Sequence, residues 1–289
     1  HALLGGVTRM MARLVAGAAE RVFVSIPAWG DILKRVCPRA RAAEWLPVPC
    51  NVADDASPSA VAAVRTRYAP PDGGPLVGHF GTFGGLITGL LGPAVKELLG
   101  RIPGTRVLLL GRGSERFAAG FGDSRVAAAG ELPAAEVSAH LRACNLLVQP
   151  YPDGVSSRRG SVMAGLANGV PVVTNLGALS EEVWAGGVVA ATPSPDPAAL
   201  AALAAALLAA PEIRTELGSR GQALYRRSFA PEHTILSDSP TNGQVREPSA
   251  TRLRRARLQS PRRAQPVRGR TRHPIPARPR RPRVYEHGR

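Results

Sequence analysis

The chain is poor in aromatic residues and cysteine. Phe, Trp and Tyr make up 4% of the 289 residues, so a core must be built mainly from Ala, Val and Leu. The three cysteines, Cys37, Cys50 and Cys144, are far apart and have no metal-binding spacing. This pattern argues against a disulfide-stapled fold and favours reduced thiols in the cytoplasm.

Long apolar runs are also missing. The longest candidate, 198–210, has 13 residues of Ala and Leu between two prolines, which is too short for a membrane span and typical of a buried helix. We therefore expect a cytoplasmic protein, with peripheral attachment to a membrane left open. The first residue is His and no signal-peptide pattern follows it, so we expect the natural N-terminus to lie further upstream.

The positive charge is concentrated at one end of the chain. The formal net charge is +16, but residues 241–289 hold 15 Arg against two Glu, whereas residues 1–240 hold 22 basic against 19 acidic residues. The balance is therefore +13 in the tail and +3 elsewhere. The high charge does not mark the whole protein as a nucleic-acid binder.

The part of the chain before the tail alternates strand and helix patterns. A short apolar run at 22–26 and a helical pattern at 28–36 precede a turn-rich stretch at 53–75, which we interpret as a domain linker. Short, continuously apolar runs then alternate with helical segments, which predicts a doubly wound parallel sheet, an α/β fold. The predicted strands are 76–80, 107–110, 126–129, 146–149, 170–174 and 188–190.

The tail shows no hydrophobic periodicity. From residue 236 onward it contains runs of Arg, many prolines and a single aromatic residue, Tyr285. Such a segment cannot bury enough apolar surface to offset its conformational entropy, so we expect 236–289 to be disordered. Any contact it makes with RNA, DNA or anionic lipid would be nonspecific, because interleaved aromatic residues for base stacking are missing.

Ligands of doubly wound sheets bind at the carboxyl ends of the strands, so the loops there are the candidate site. Gly-rich sequences follow the first two predicted strands, around Gly81 and around Arg112. Either loop could hold an anion, through backbone amides or through a guanidinium group, or be an ordinary turn. The spacing of the glycines does not match a dinucleotide fingerprint.

The most specific pattern follows the fourth predicted strand. Two hydroxyls, two guanidinium groups and a Gly-Ser pair stand where a helix should begin, so its free amides, its dipole and both positive charges would converge on one ligand. That combination suits a diphosphate; the alternative is a helix start with exposed arginines. The residues concerned are Ser156, Ser157, Arg158, Arg159, Gly160 and Ser161.

These motifs, in this order, resemble the nucleotide-sugar-binding half of GT-B glycosyltransferases of the group 1 type. The similarity rests on Phe80-Gly81-Thr82, on 108–113, on Gly130-Glu131-Leu132-Pro133 and above all on 145–174, and it covers roughly 20–235. It implies that 1–52 is the incomplete end of an acceptor-side, Rossmann-like N-terminal domain. Residues 76–235 would then form the nucleotide-sugar-binding domain.

The resemblance also implies an activity and roles for single residues. The enzyme would transfer a sugar from a nucleotide-diphosphate donor to an acceptor that the sequence does not identify, such as a glycan, a lipid or a small molecule, without a metal ion or other cofactor. Backbone at Leu132 would meet the base, and Gly81 and Thr82 would line the diphosphate or acceptor side. Arg112 and the 156–161 loop would hold the phosphates. No catalytic base can be assigned.

Two departures from the family pattern limit this interpretation. Group 1 enzymes usually carry two glutamates where this chain has Ser156 and Ala164, so the glutamate contacts to sugar and ribose are absent. The charged residues that usually follow the first strand are missing from 84–91, and we expect Arg158 and Arg159 to compensate. Because only about 52 residues represent the first domain, we expect weak donor binding and little turnover by this chain alone. A non-catalytic nucleotide or sugar-phosphate binding domain is the alternative.

Overall fold

The computed structural model describes residues 2–238. The predicted tail lies outside these residues apart from 236–238, which end the last helix. The first part of the chain contains two helices and a two-stranded parallel sheet. Its elements are α1 (Ala2–Ala18), β1 (Phe23–Val24), α2 (Pro27–Val36) and β2 (Glu44–Trp45).

A six-stranded, fully parallel sheet forms the centre of the molecule, with strand order β5-β4-β3-β6-β7-β8. This order confirms the doubly wound α/β fold. The strands are β3 (Leu76–Phe80), β4 (Arg106–Leu110), β5 (Val126–Gly130), β6 (Leu146–Gln149), β7 (Val172–Asn175) and β8 (Ala190–Thr192).

Two strands begin two residues later than predicted. The predicted strand 170–174 is β7, and the predicted strand 188–190 is β8. In β7 the cause is a hydrogen bond from the Val170 N–H to the Gly165 carbonyl, 2.9 Å long, which ties Val170 to the preceding helix.

Eight further helices flank the sheet or cap its ends, and a short 3-10 helix covers Glu182–Ala185. In α8 the side chain of Asp196 accepts a hydrogen bond from the Ala198 N–H, 3.0 Å long, as expected for an N-cap. The helices are α3 (Pro58–Tyr68), α4 (Gly85–Arg101), α5 (Ser114–Phe121), α6 (Ala134–Ala143), α7 (Gly160–Ala167), α8 (Pro197–Leu208), α9 (Pro211–Ser228) and α10 (Pro231–Asp238).

Both faces of the sheet are buried. Leu109 and Leu146 belong to a core shared with α4 and α8, whereas their neighbours Leu108 and Leu147 belong to a core shared with α3, α6, α7 and α9. Side chains alternate between the faces of a strand, so two cores require apolar residues at consecutive positions. This explains the continuous apolar runs in the sequence.

The segment 53–75 contains a packed helix. Val64 and Tyr68 of α3 are buried, and the Arg65 guanidinium donates to the Ala143 carbonyl at the end of α6, with Nη1 2.7 Å from the oxygen. This helix was not predicted from the sequence. Whether 53–75 separates two domains remains a prediction.

No single helix within residues 2–238 is both long enough and apolar enough to cross a bilayer. Two successive helical segments, Pro197–Leu208 and Pro211–Thr234, reach the required length and composition together, but a bend of 107° separates them.

Candidate functional site

The strand order reverses between β3 and β6, which are adjacent in the sheet although α4, β4, α5, β5 and α6 separate them in the chain. At such a point the loops that leave the two strands run to opposite sides and open a crevice. The candidate loops follow β3, β4, β5 and β6 at this edge of the sheet.

Three glycines bring the ends of β5, β4 and β3 into backbone contact. The Gly111 N–H donates to the Gly130 carbonyl over 2.8 Å, and the Gly81 N–H donates to the Leu110 carbonyl over 3.0 Å. A Cβ atom on Gly111 would lie 3.2 Å from the carbonyl carbon of Gly81 and closer still to its oxygen. Gly111 also has a φ of +111°. A side chain at this position would therefore push the loops apart.

On its other side, Gly81 approaches the first turn of α7. A Cβ on Gly81 would lie 3.7 Å from the Ser161 hydroxyl, so these two predicted residues face each other across the crevice. The Ser161 hydroxyl is also 2.7 Å from the Tyr151 hydroxyl. Burial raises the pKa of Tyr151 to about 12, so the phenol stays protonated at neutral pH.

The amino end of α7 carries no side-chain cap. The N–H groups of Val162 and Met163 both donate to the Arg159 carbonyl, at 3.0 and 3.1 Å. The amides of Gly160 and Ser161 are in the first turn, where a helix leaves N–H groups without an internal partner. The positive end of the helix dipole is thus directed at the Gly81 side of the crevice.

Arg158 and Arg159 share one counter-ion. Nη2 of each guanidinium group contacts a different carboxylate oxygen of Asp153. The Arg158 guanidinium also stands 5.5 Å from the centre of the Trp29 ring, and that of Arg159 stands 4.3 Å from the centre of the Tyr151 ring. The two arginines are therefore held in place, but one of their two positive charges is neutralised within the loop.

Both serines before the arginines are fully buried. The Ser157 N–H donates to the Glu181 carboxylate at 3.1 Å, and its hydroxyl contacts that carboxylate and lies 2.9 Å from the Ser25 carbonyl. Nε1 of Trp45 is 3.3 Å from the same hydroxyl. Ser157 therefore connects the 1–52 segment to the sheet instead of facing the crevice.

Arg112 turns away from the 156–161 loop. Its guanidinium group binds Glu131 with Nε and Nη2, at 3.2 and 3.1 Å from the two carboxylate oxygens. This contact lowers the pKa of Glu131, and the Arg112 side chain is 81% exposed. Thr82 is also exposed, whereas Leu132 is half-buried against the core.

Buried polar atoms without a hydrogen-bond partner concentrate at this edge. Such atoms are normally paired, so a group of them points to a ligand or to water. Nδ1 of His79 lies 2.8 Å from the Val148 carbonyl, which leaves Nε2 unpaired, and burial lowers the pKa of this residue to about 4. The unpaired atoms at the site are His79 Nε2, Gln149 Oε1, Ser156 Oγ, Arg158 Nε and Arg159 Nε.

A cavity of about 940 Å³ opens beside Arg112, between α4 and α5, and does not include the 156–161 loop. Phe83 and Phe117 line it together with Arg112 and Lys96. Its volume is in the range of small-molecule sites.

Among residues 2–238 no three His, Cys, Asp or Glu side chains are grouped to hold a metal ion, and metal-independent action remains a prediction.

Sequence reasoning missed three participants in the site: Asp153, Tyr151 and Trp29. Asp153 had a local signal, because a carboxylate five and six residues before two arginines in a Gly-containing loop can fold back onto them. Trp29 had none, since 129 residues separate it from Arg158 in the chain. Glu181 supports the loop as well, because it accepts hydrogen bonds from Ser157 and, at 2.7 Å, from Nε1 of Trp184.

No family model matches the chain, and no curated protein matches its sequence. Solved structures do match its fold, and they are GT-B glycosyltransferases. HepE from Anabaena, crystallised with UDP and glucose, is 19% identical, with a TM-score of 0.61 over 79% of this chain and 64% of HepE. Sucrose-phosphate synthase from Thermosynechococcus elongatus is 21% identical, with a TM-score of 0.65 over 88% of this chain and 62% of the synthase.

WaaG, a glycosyltransferase involved in lipopolysaccharide biosynthesis, is 14% identical, with a TM-score of 0.62 over 78% of this chain and 63% of WaaG. The chain thus spans a little under two thirds of the length of these proteins. At these identities the comparison establishes the GT-B fold.

Proposed function

We propose that the protein is a glycosyltransferase that takes a sugar from a nucleotide-diphosphate donor and passes it to an acceptor still to be identified. The observation that carries the proposal is the uncapped amino end of α7, which faces Gly81 at the point where the strand order reverses and directly follows Arg158 and Arg159. This arrangement suits a diphosphate because amides, dipole and guanidinium groups all favour negative charge.

The same features would act in the chemical step. When the bond between sugar and diphosphate breaks, negative charge grows on the leaving phosphate. Donors that are already in position stabilise this charge more than they stabilise the bound donor, and that difference accelerates the reaction. Arg158 and Arg159 are the side chains that we assign to this role, with the Gly160 and Ser161 amides.

We assign the nucleoside to the side of Arg112. Gly81 and Thr82 would line the path of the diphosphate, Arg112 would reach a phosphate by leaving Glu131, and the backbone at Leu132 would meet the base. The exposure of the Arg112–Glu131 pair supports this, because an exposed ion pair costs little to separate. The crystallisation of HepE with UDP and glucose supports a nucleotide sugar as the donor class.

A second candidate is a domain that binds a nucleotide or sugar phosphate without catalysis. Ser156 and Ala164, which stand where group 1 enzymes usually have glutamates, are both fully buried and supply no carboxylate to a sugar. The tail over 241–289 adds a third proposal, nonspecific binding of polyanions, which would show a steep salt dependence and disappear when the chain is cut at residue 240.

Calorimetric titration of the full chain with UDP and UDP-glucose tests donor binding. We expect both ligands to bind, and we expect the double substitution Arg158→Ala/Arg159→Ala to weaken binding by about 100-fold, because two charge-assisted hydrogen bonds are lost. The matched control is Arg101→Ala/Arg220→Ala, which removes two exposed arginines that pair with Glu97 and Glu216 on their own helices.

Unchanged affinity in the Arg158/Arg159 variant would refute the diphosphate site. Release of glucose from UDP-glucose, to water or to a saccharide, would distinguish the enzyme from a binding domain. We expect this release to be slow, because the 1–52 segment supplies only two strands of two residues each to the acceptor side.

A further inference from the structure

We propose that Asp153 sets the charge preference of the site and weakens the binding of a nucleoside diphosphate more than that of a nucleotide sugar. The inference rests on the proposed function and names a residue that distinguishes the donor from the spent product. It starts from the fact that both arginines of the loop pair with this one carboxylate.

Asp153 is an exclusive and fixed partner. The ion pairs of residues 2–238 give neither Arg158 nor Arg159 a second carboxylate. The Asp153 carbonyl accepts a hydrogen bond from the Leu179 N–H, 3.1 Å long, and a Cβ on Gly177 would lie only 2.6 Å from the Asp153 carbonyl carbon. The backbone at Asp153 is therefore held against the 177–179 loop, and its charge stays beside the arginines when a ligand arrives.

The arginines do not depend on Asp153 alone for their positions. The face of Trp29 supports Arg158, and the face of Tyr151 supports Arg159. Such contacts between a guanidinium group and an aromatic ring are attractive in themselves. Each arginine also has an Nε atom that is buried without a partner. Removing the carboxylate charge should therefore leave both guanidinium groups against these rings, with more donors free.

A fixed negative charge discriminates between ligands by their own charge. The three side chains together carry +1 instead of +2. At pH 8 a nucleoside diphosphate carries about three negative charges and a nucleotide sugar about two, because the sugar esterifies the terminal phosphate. The Coulomb repulsion from Asp153 scales with that charge, so the product is penalised by about one and a half times as much as the donor.

The test is Asp153→Asn, which keeps the shape and removes the charge. Titrated with UDP and UDP-glucose at pH 8 and low salt, this variant should bind UDP about ten-fold and UDP-glucose about five-fold more tightly than the unsubstituted protein. The gain should shrink at high salt, where charges are screened. Asp153→Glu should keep the original ratio of the two affinities.

The matched control is Asp123→Asn. Asp123 also binds an arginine, Arg125, with the carboxylate 2.7 Å from Nη2, but it lies just before β5, at the opposite edge of the sheet. This change adds the same net charge to the protein and should leave both affinities unchanged. If Asp153→Asn does not fold, Asp153→Ser makes the same charge change.

The outcomes separate the two proposals. If the unsubstituted protein binds neither UDP nor UDP-glucose, the proposed function fails and this inference fails with it. If it binds both, but the neutral variants bind UDP no more tightly or gain equally for the two ligands, the inference alone fails. Weaker binding of both ligands would show that Asp153 only holds the arginines in place.

Discussion

Replacing Gly111 by alanine tests whether the site depends on direct backbone contact between the ends of β3 and β4. Gly111 has a φ of +111°, which costs an alanine about 1–2 kcal/mol. The new methyl group would also overlap the Gly81 carbonyl, which belongs to the backbone and has no rotamer to escape into. Overpacking of this kind costs about 1–3 kcal/mol, so the expected loss of unfolding free energy is about 2–5 kcal/mol.

Substitutions at two other glycines separate the conformational cost of this loss from its steric cost. Gly113 has a φ of +90°, but a Cβ there would meet only the Phe83 Cβ, at 3.5 Å, which is an ordinary contact. Gly113→Ala should therefore cost only the conformational share, about 1–2 kcal/mol. Gly100 lies in α4 with open space around its missing Cβ, so Gly100→Ala should stabilise the protein by about 0.5–1 kcal/mol.

Urea unfolding of the three variants at equilibrium measures these differences, and titration with UDP follows the site. The expected order of stability is Gly100→Ala, the unsubstituted protein, Gly113→Ala, Gly111→Ala, and only the last should also lose UDP affinity. A cost for Gly111→Ala no larger than that for Gly113→Ala would show that the strand ends tolerate a side chain, and the argument from close approach would be wrong.

Two further predictions concern buried groups around the site. Burial lowers the pKa of His79 to about 4, below its unfolded value of about 6.5, so the neutral ring contributes stability that is complete above pH 6.5 and lost as the pH falls through 4. Between pH 7 and pH 4 the free energy of unfolding in urea should therefore fall by up to about 3 kcal/mol, and His79→Asn should make this fall smaller. An identical pH profile in the variant would contradict the prediction. Ser157→Ala removes the hydroxyl that contacts Ser25 and Glu181 and so weakens the attachment of the 1–52 segment to the sheet. Trypsin should then cleave this segment near Arg39 and Arg41 several-fold faster. The control Ser124→Ala, on the exposed surface, should not change the rate.

The accuracy of the strand prediction has a physical basis. A strand buried on both faces needs apolar residues at consecutive positions, and runs such as 107–110 carry that requirement in the sequence itself. The helix α3 was not predicted because its buried face is small. Only Val64 and Tyr68 are buried, and prolines and turn residues surround the helix on both sides.

The site was predictable as a set of loops and not as a set of contacts. Gly81 and Ser161 were both candidates, and their meeting follows from the adjacency of β3 and β6. Arg112 was expected to join the 156–161 loop, but its guanidinium group binds Glu131. A long, exposed side chain pairs with the opposite charge that is nearest in space, and neither the spacing nor the periodicity of the sequence indicates which residue that is.

The order of strands and helices, and the loops that can carry a ligand, are properties of the sequence alone, because burial and turn formation act on neighbouring residues. The tertiary structure decided which strands are adjacent, that Trp29 contacts Arg158, and that Asp153 neutralises half of the charge of the two arginines. These facts depend on distances through space, and Coulomb and van der Waals energies follow those distances rather than separation along the chain.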